Sequence, residues 1–94
     1  MRFIVSGNSM EPTYKTGNRL CVSRLFYTFF KPKIGDVAVL RDPRDSRLVL
    51  KRVVGITPDG YFVKGDNESG STDSRTFGSV KKENIVGKVL FRYK

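Results

Sequence analysis

Ser9 lies in the stretch GNSMEPT, residues 7–13, between Asn8 and Met10 and three residues ahead of Pro12. A serine hydroxyl becomes a useful nucleophile only when a base takes its proton. The chain contains no histidine, which excludes Ser-His and Cys-His catalysis and any histidine-based zinc site together. Acid–base chemistry is left to lysine, carboxylates or tyrosine, and the usual substitute beside a serine is a neutral lysine amine. An unperturbed lysine, with a pKa near 10.4, offers that free amine in only about one molecule in a few thousand at neutral pH. Burial in an apolar setting raises the fraction, because desolvation disfavours the ammonium.

Among the lysines, Lys51 stands in RLVLKRVV, residues 47–54. Strand alternation places Val49, Lys51 and Val53 on one face and Leu48, Leu50, Arg52 and Val54 on the other. Lys51 is thus flanked on its own face by two β-branched apolar residues. Lowering its pKa by two or three units requires about 3 to 4 kcal/mol of desolvation, within reach of a partly buried strand position. Each residue also has an ordinary reading. Serine is common in turns, and an edge-strand lysine lays its stem on apolar surface and keeps its ammonium in water. The two residues by themselves leave both readings open.

The elements that must carry these residues are short. Apolar and β-branched runs at 2–5, 19–22, 36–40, 47–54, 61–64 and 84–93 alternate with turn signals such as GNSMEP, KTGN, DPRD and TPDG. This spacing predicts a mostly-β fold with TPDG as a hairpin connection and minor helix, at most a helical turn at KKEN, residues 81–84. Ninety-four residues predict one small domain, 1–94, of a size that buries roughly 60 to 65% of its unfolded surface. Cys21 is the only cysteine, so no internal disulfide staples the fold. No apolar run approaches the roughly 20 residues needed to span a bilayer, and a cytoplasmic chain with no membrane anchor is expected. The segment RLFYTFFKPK, residues 24–33, sets five apolar and aromatic side chains among cations. It serves either as core or, through Leu25 to Phe30, as a membrane-peripheral patch.

Several partial motifs carry no function. GDNESGST, residues 65–72, has the glycine spacing of a phosphate loop but Ser71 where the lysine must stand. The same loop lacks the glycine and glutamate that shape an EF-hand site, and neither metal nor cofactor is expected. Ser79 to Lys82 and Lys15 to Gly17 match pieces of penicillin-recognising enzymes in the wrong order and in too short a chain. The net charge of +9 suits an anionic partner, yet no RNA-binding signature or helix-turn-helix accompanies it, and no nucleic acid is expected.

Taken together, SGNSMEPTY around Ser9, PKIGDVAVL at 32–40, LKRVVG at 50–55, GDNESGSTDSRTFG at 65–78 and IVGKV at 85–89 resemble, in that order, the catalytic core of type I signal peptidases. These serine/lysine endopeptidases remove targeting or propeptide segments. The resemblance covers nearly the whole chain. In size the chain is similar to the maturation peptidases of nickel-type superoxide dismutase, since only Ile56 to Lys64 separates LKRVVG from GDN and the large inserted domain of some bacterial members is missing.

The resemblance implies a signal-peptidase/LexA-like β fold in which Ser9 is the nucleophile and Lys51 the general base. Met10 and Pro12 would shape the turn that presents Ser9. Ser71 would orient the Lys51 amine, and Asp73 and Arg75, with Arg52, would form an ion-pair framework. The backbone N–H of Ser9 would serve the oxyanion hole, with Gly7 where some members supply a serine hydroxyl. Asn18 replaces the Asp that usually follows the glycine, a change expected to affect a turn. The implied partner is a protein or peptide bound in extended form. Two alternatives are a LexA-like self-cleaving module and a basic β-domain binding nucleic acid or lipid through the positive charge.

Overall fold

The computed structural model of the chain describes residues 1–67 and 79–94. Six strands, β1 (Arg2–Ile4), β2 (Arg19–Ser23), β3 (Val37–Arg41), β4 (Leu48–Thr57), β5 (Gly60–Lys64) and β6 (Ile85–Arg92), form one antiparallel sheet in the order β1-β2-β6-β3-β4-β5. Each falls within a residue or three of a predicted apolar run, and TPDG closes the β4–β5 hairpin as expected. KKEN supplies a single 3-10 turn over Lys82–Asn84. A second short helix, α1 (Phe26–Phe29), has no sequence periodicity to announce it, because four residues make one turn.

β3 shows why the sheet holds together. Its four buried residues alternate between two cores, Val37 and Val39 on one face and Ala38 and Leu40 on the other. Only an interior strand with side chains packed on both faces reads as a continuous apolar run. The first core joins Val37 and Val39 to Val5, Met10, Leu20, Val22, Leu50 and Val89. The second joins Ala38 and Leu40 to Tyr27, Val53, Val63, Val80 and Ile85. β6 approaches β2 closely at Gly87, where a Cβ would lie 2.6 Å from the Ser23 carbonyl oxygen. Any side chain there would force the two strands apart.

RLFYTFFKPK divides between core and surface. Tyr27 is buried in the second core, and its hydroxyl donates to Asp36 Oδ2 at 2.8 Å. Burial, reinforced by the Asp36 carboxylate, pushes the Tyr27 phenol well above its ordinary range. Leu25, Phe29 and Phe30 point to solvent, with Phe29 76% exposed. Among the described residues no helix is long and apolar enough to cross a membrane.

Candidate active site

Lys51 follows Leu50 on β4, opposite Ala38 of β3, and its face of the strand is the one carrying Val49 and Val53 in the second core. The alternation read from RLVLKRVV is therefore the observed one. The alternative of a surface lysine with its ammonium in water is overturned by burial: Lys51 is only 5% exposed. A small alanine opposite a lysine in an antiparallel pair leaves room for the longer side chain. A buried lysine in an aliphatic setting is the environment a general base requires.

β5 pairs with β4 only from Arg52 to Thr57, so the ladder ends at the residue next to Lys51. Beyond Lys64 the chain turns through Gly65, Asp66 and Asn67, and these residues receive the loop carrying Ser9. The Asn67 N–H donates to the Ser9 carbonyl oxygen at 2.9 Å, and Asn67 Nδ2 donates to the Asn8 carbonyl oxygen at 3.0 Å. Thr13 Oγ1 donates to Asp66 Oδ2 at 2.6 Å. Met10, 1% exposed, plugs the loop into the first core, while Pro12 is exposed at a cis Glu11–Pro12 bond. Ser9 is half-buried.

The base of the loop is closed by Val5 N–H to the Asn18 carbonyl oxygen (2.9 Å), Gly17 N–H to the Val5 carbonyl oxygen (2.8 Å) and Thr16 Oγ1 to the Gly7 carbonyl oxygen (2.7 Å). Asn18 Oδ1 accepts the Lys15 N–H at 2.8 Å, so Asn18 works in a turn. Gly7 adopts φ +85°, with open space where a Cβ would stand. A serine hydroxyl at this position is thus limited by backbone strain, roughly 1 to 2 kcal/mol, rather than by room.

Arg52 was expected in an ion-pair framework with Asp73 and Arg75. Its carboxylate partner among the described residues is Asp66, gripped by Nε on Oδ1 at 2.8 Å and Nη2 on Oδ2 at 2.9 Å. Arg52 Nη1 also donates to the Gly35 carbonyl oxygen at 2.8 Å. The role of Asp66 escaped the sequence reading, although it sits in the GDN of a quoted block; a carboxylate ahead of an asparagine at a strand end was the available signal. Ser71, Asp73 and Arg75 lie outside the described residues.

The Arg52 guanidinium holds the Asp66 carboxyl below the usual carboxylate range; burial opposes this, and the Thr13 hydroxyl supports it. A carboxyl depressed in the folded state contributes stability that is present above its unfolded pKa and lost as pH falls through its folded value. Asp66→Asn is therefore expected to melt below the wild type at neutral pH, with the gap closing as the pH drops below about 4. Melting curves from pH 7 to 3 check this, and a gap independent of pH would contradict it.

No group of histidine, cysteine, aspartate or glutamate among the described residues is arranged to hold a metal. A cavity of about 310 Å³ lies at the β4–β5 hairpin tip, lined by Ile56 to Tyr61 and Lys81 to Glu83. Neither Ser9 nor Lys51 lines it. Among the described residues, the Ser9 loop meets the chain just past the end of the β4–β5 ladder, at Asp66 and Asn67.

The family model described as "Signal peptidase, peptidase S26" matches residues 1–60 and 56–94. Mitochondrial ATP-independent inner membrane protease subunit 1a of Arabidopsis thaliana is 36% identical over 97% of the chain and 71% of its own length. Signal peptidase I of Bacillus caldolyticus is 33% identical over 97% of the chain and 78% of its own length. A probable signal peptidase I-1 of Synechocystis sp. is 28% identical over 98% of the chain and 69% of its own length.

Proposed function

Because the chain belongs to the signal peptidase family, peptidase S26, and is a serine endopeptidase of that type removing leader or propeptide segments, we propose that Ser9 is its nucleophile and Lys51 its general base. The observation that carries the assignment is the burial of Lys51 on the face of β4 that Val49 and Val53 share. It stands one residue before the Arg52 whose partner Asp66, with Asn67, holds the Ser9 loop.

Ser9 Oγ attacks the scissile carbonyl as the Lys51 amine takes the hydroxyl proton. The resulting ammonium passes that proton to the leaving amine, and an acyl-enzyme remains on Ser9. Lys51, neutral again, deprotonates a water that hydrolyses the ester and restores the serine. The backbone N–H of Ser9 faces the developing oxyanion, a contribution worth two to three orders of magnitude where such donors are removed, about 10²–10³ in rate. The family pattern assigns to Ser71 the orienting of the Lys51 amine, and to Asp73 and Arg75, with Arg52, an ion-pair framework. The substrate lies extended beside Leu48–Lys51, the part of β4 that β5 does not pair, and adds main-chain hydrogen bonds as a strand. Incubation with an acylating β-lactam followed by peptide mass spectrometry tests the nucleophile: the adduct is expected on Ser9, and an adduct on another serine would overturn the assignment.

Membrane contact is the second part of this reading. Leu25 (68%), Phe29 (76%) and Ile34 (64%) are exposed beside the cations Arg24, Lys31 and Lys33, and apolar side chains ringed by lysine and arginine suit an anionic bilayer surface. The names of several relatives refer to an inner membrane. They lend nothing to the cytoplasmic location expected from the sequence, and a membrane-peripheral one fits the patch. Fully burying one phenylalanine gains roughly 1.5 to 3 kcal/mol, so a Phe29→Ser, Phe30→Ser double variant should bind anionic vesicles at least about tenfold more weakly. Co-sedimentation measures this, and equal binding would discard the patch.

A further inference from the structure

We propose that Thr13 is a positioning residue for the cleavage reaction: its hydroxyl latches the nucleophile loop to Asp66 and, through Arg52, to the strand that carries Lys51. The inference rests on the assignment of Ser9 and Lys51 above. Ser9 lies in a loop and Lys51 in a strand 42 positions later in the chain, so their relative placement depends on whatever joins loop to strand. Among the described residues, two joints do so from the segment after β5. Asn67 holds the Asn8 and Ser9 carbonyl oxygens at 3.0 and 2.9 Å. On the other side of Ser9, Thr13 Oγ1 reaches Asp66 Oδ2 at 2.6 Å, a length typical of a hydroxyl donating to an ionised carboxylate.

Asp66 is itself fixed. Arg52 grips both its oxygens in a two-pronged contact, 2.8 and 2.9 Å, and Arg52 Nη1 is tied to the Gly35 carbonyl oxygen ahead of β3. A rigid guanidinium fork sets the carboxylate's orientation as well as its position, so the Thr13 hydroxyl meets an acceptor locked to the backbone neighbour of Lys51. The latch is not what folds the loop. Thr13 is exposed, whereas Met10 anchors the loop in the first core. Loss of the hydroxyl should leave the fold in place and loosen the Ser9 geometry. Displacements of about 1 Å at a reacting group cost on the order of 10²-fold in rate.

The test uses hydrolysis of a peptide p-nitroanilide with alanine before the cleaved bond, by the full chain. Thr13→Val keeps the side-chain shape and removes the donor; Thr13→Ser keeps the donor. Thr13→Val is expected to lower kcat by about 10- to 100-fold with KM within about twofold, as for a group that acts on the transition state rather than on binding. Its melting temperature should fall by roughly 5 °C or less, and Thr13→Ser should recover most of the rate. Wild-type kcat in Thr13→Val, or equal losses in Thr13→Ser and Thr13→Val, would overturn the latch. Ser9→Ala in the same assay separates the two levels. If it is inactive while Thr13→Val is unimpaired, only the latch fails; if it retains wild-type activity, the nucleophile assignment fails and the latch with it.

Discussion

Lys51→Met leaves a folded protein that no longer turns over substrate. Methionine matches the length and flexibility of the lysine stem and fills irregular apolar space. At a site 5% exposed, on the face with Val49 and Val53, it keeps the apolar stem and removes the amine. Cooperative unfolding should persist. With no histidine in the chain no other residue inherits the role of base, so the expected loss in kcat is about 10⁴-fold or more. In the wild type, activity should climb toward alkaline pH as the amine sheds its proton, and any residual activity of Lys51→Met should lack that limb. Full activity in the variant would remove Lys51 from the mechanism.

Ser9→Ala should be equally inactive and equally well folded, for a different reason. The contacts that place residue 9 are made by its main chain, through the carbonyl oxygen that accepts the Asn67 N–H, and by its neighbours Asn8 and Met10. Alanine keeps all of these and removes only the attacking oxygen. The expected drop in kcat is again about 10⁴-fold or more, with substrate affinity nearly unchanged, since the residual rate of such variants comes from substrate binding and oxyanion contacts. A basic β-domain that merely binds anions would behave in the opposite way, with salt-sensitive nucleic-acid binding untouched by Ser9→Ala and no turnover to lose. Cleavage by Ser9→Ala at the wild-type rate would move the nucleophile elsewhere.

Much of the sheet was legible in advance because strands announce themselves locally. The run DVAVL gave β3, and RLVLKRVV gave β4 together with the face on which Lys51 lies. The helix Phe26–Phe29 was not legible, since a single turn has no period to detect and its residues are bulky enough to suit either core or surface. Only the structure separates buried Tyr27 from exposed Leu25, Phe29 and Phe30. Within the site, neither the anchoring of the Ser9 loop by Met10 in the first core nor the grip of Arg52 on Asp66 was read from the sequence.

What the sequence determined by itself was the kind of chemistry. The absence of histidine restricts the base to a few residue types, and the two-residue period of a strand sets Lys51 between Val49 and Val53, because both follow from composition and from the stereochemistry of neighbouring residues. The tertiary structure alone decided that the face of β4 carrying Lys51 packs into the second core, which turns a lysine with apolar neighbours into a buried one. It also decided that Asp66 joins Arg52, 14 residues away, to Thr13, 53 residues away. Burial and the choice of ion partner are set by which distant segments become neighbours, and no local pattern encodes that.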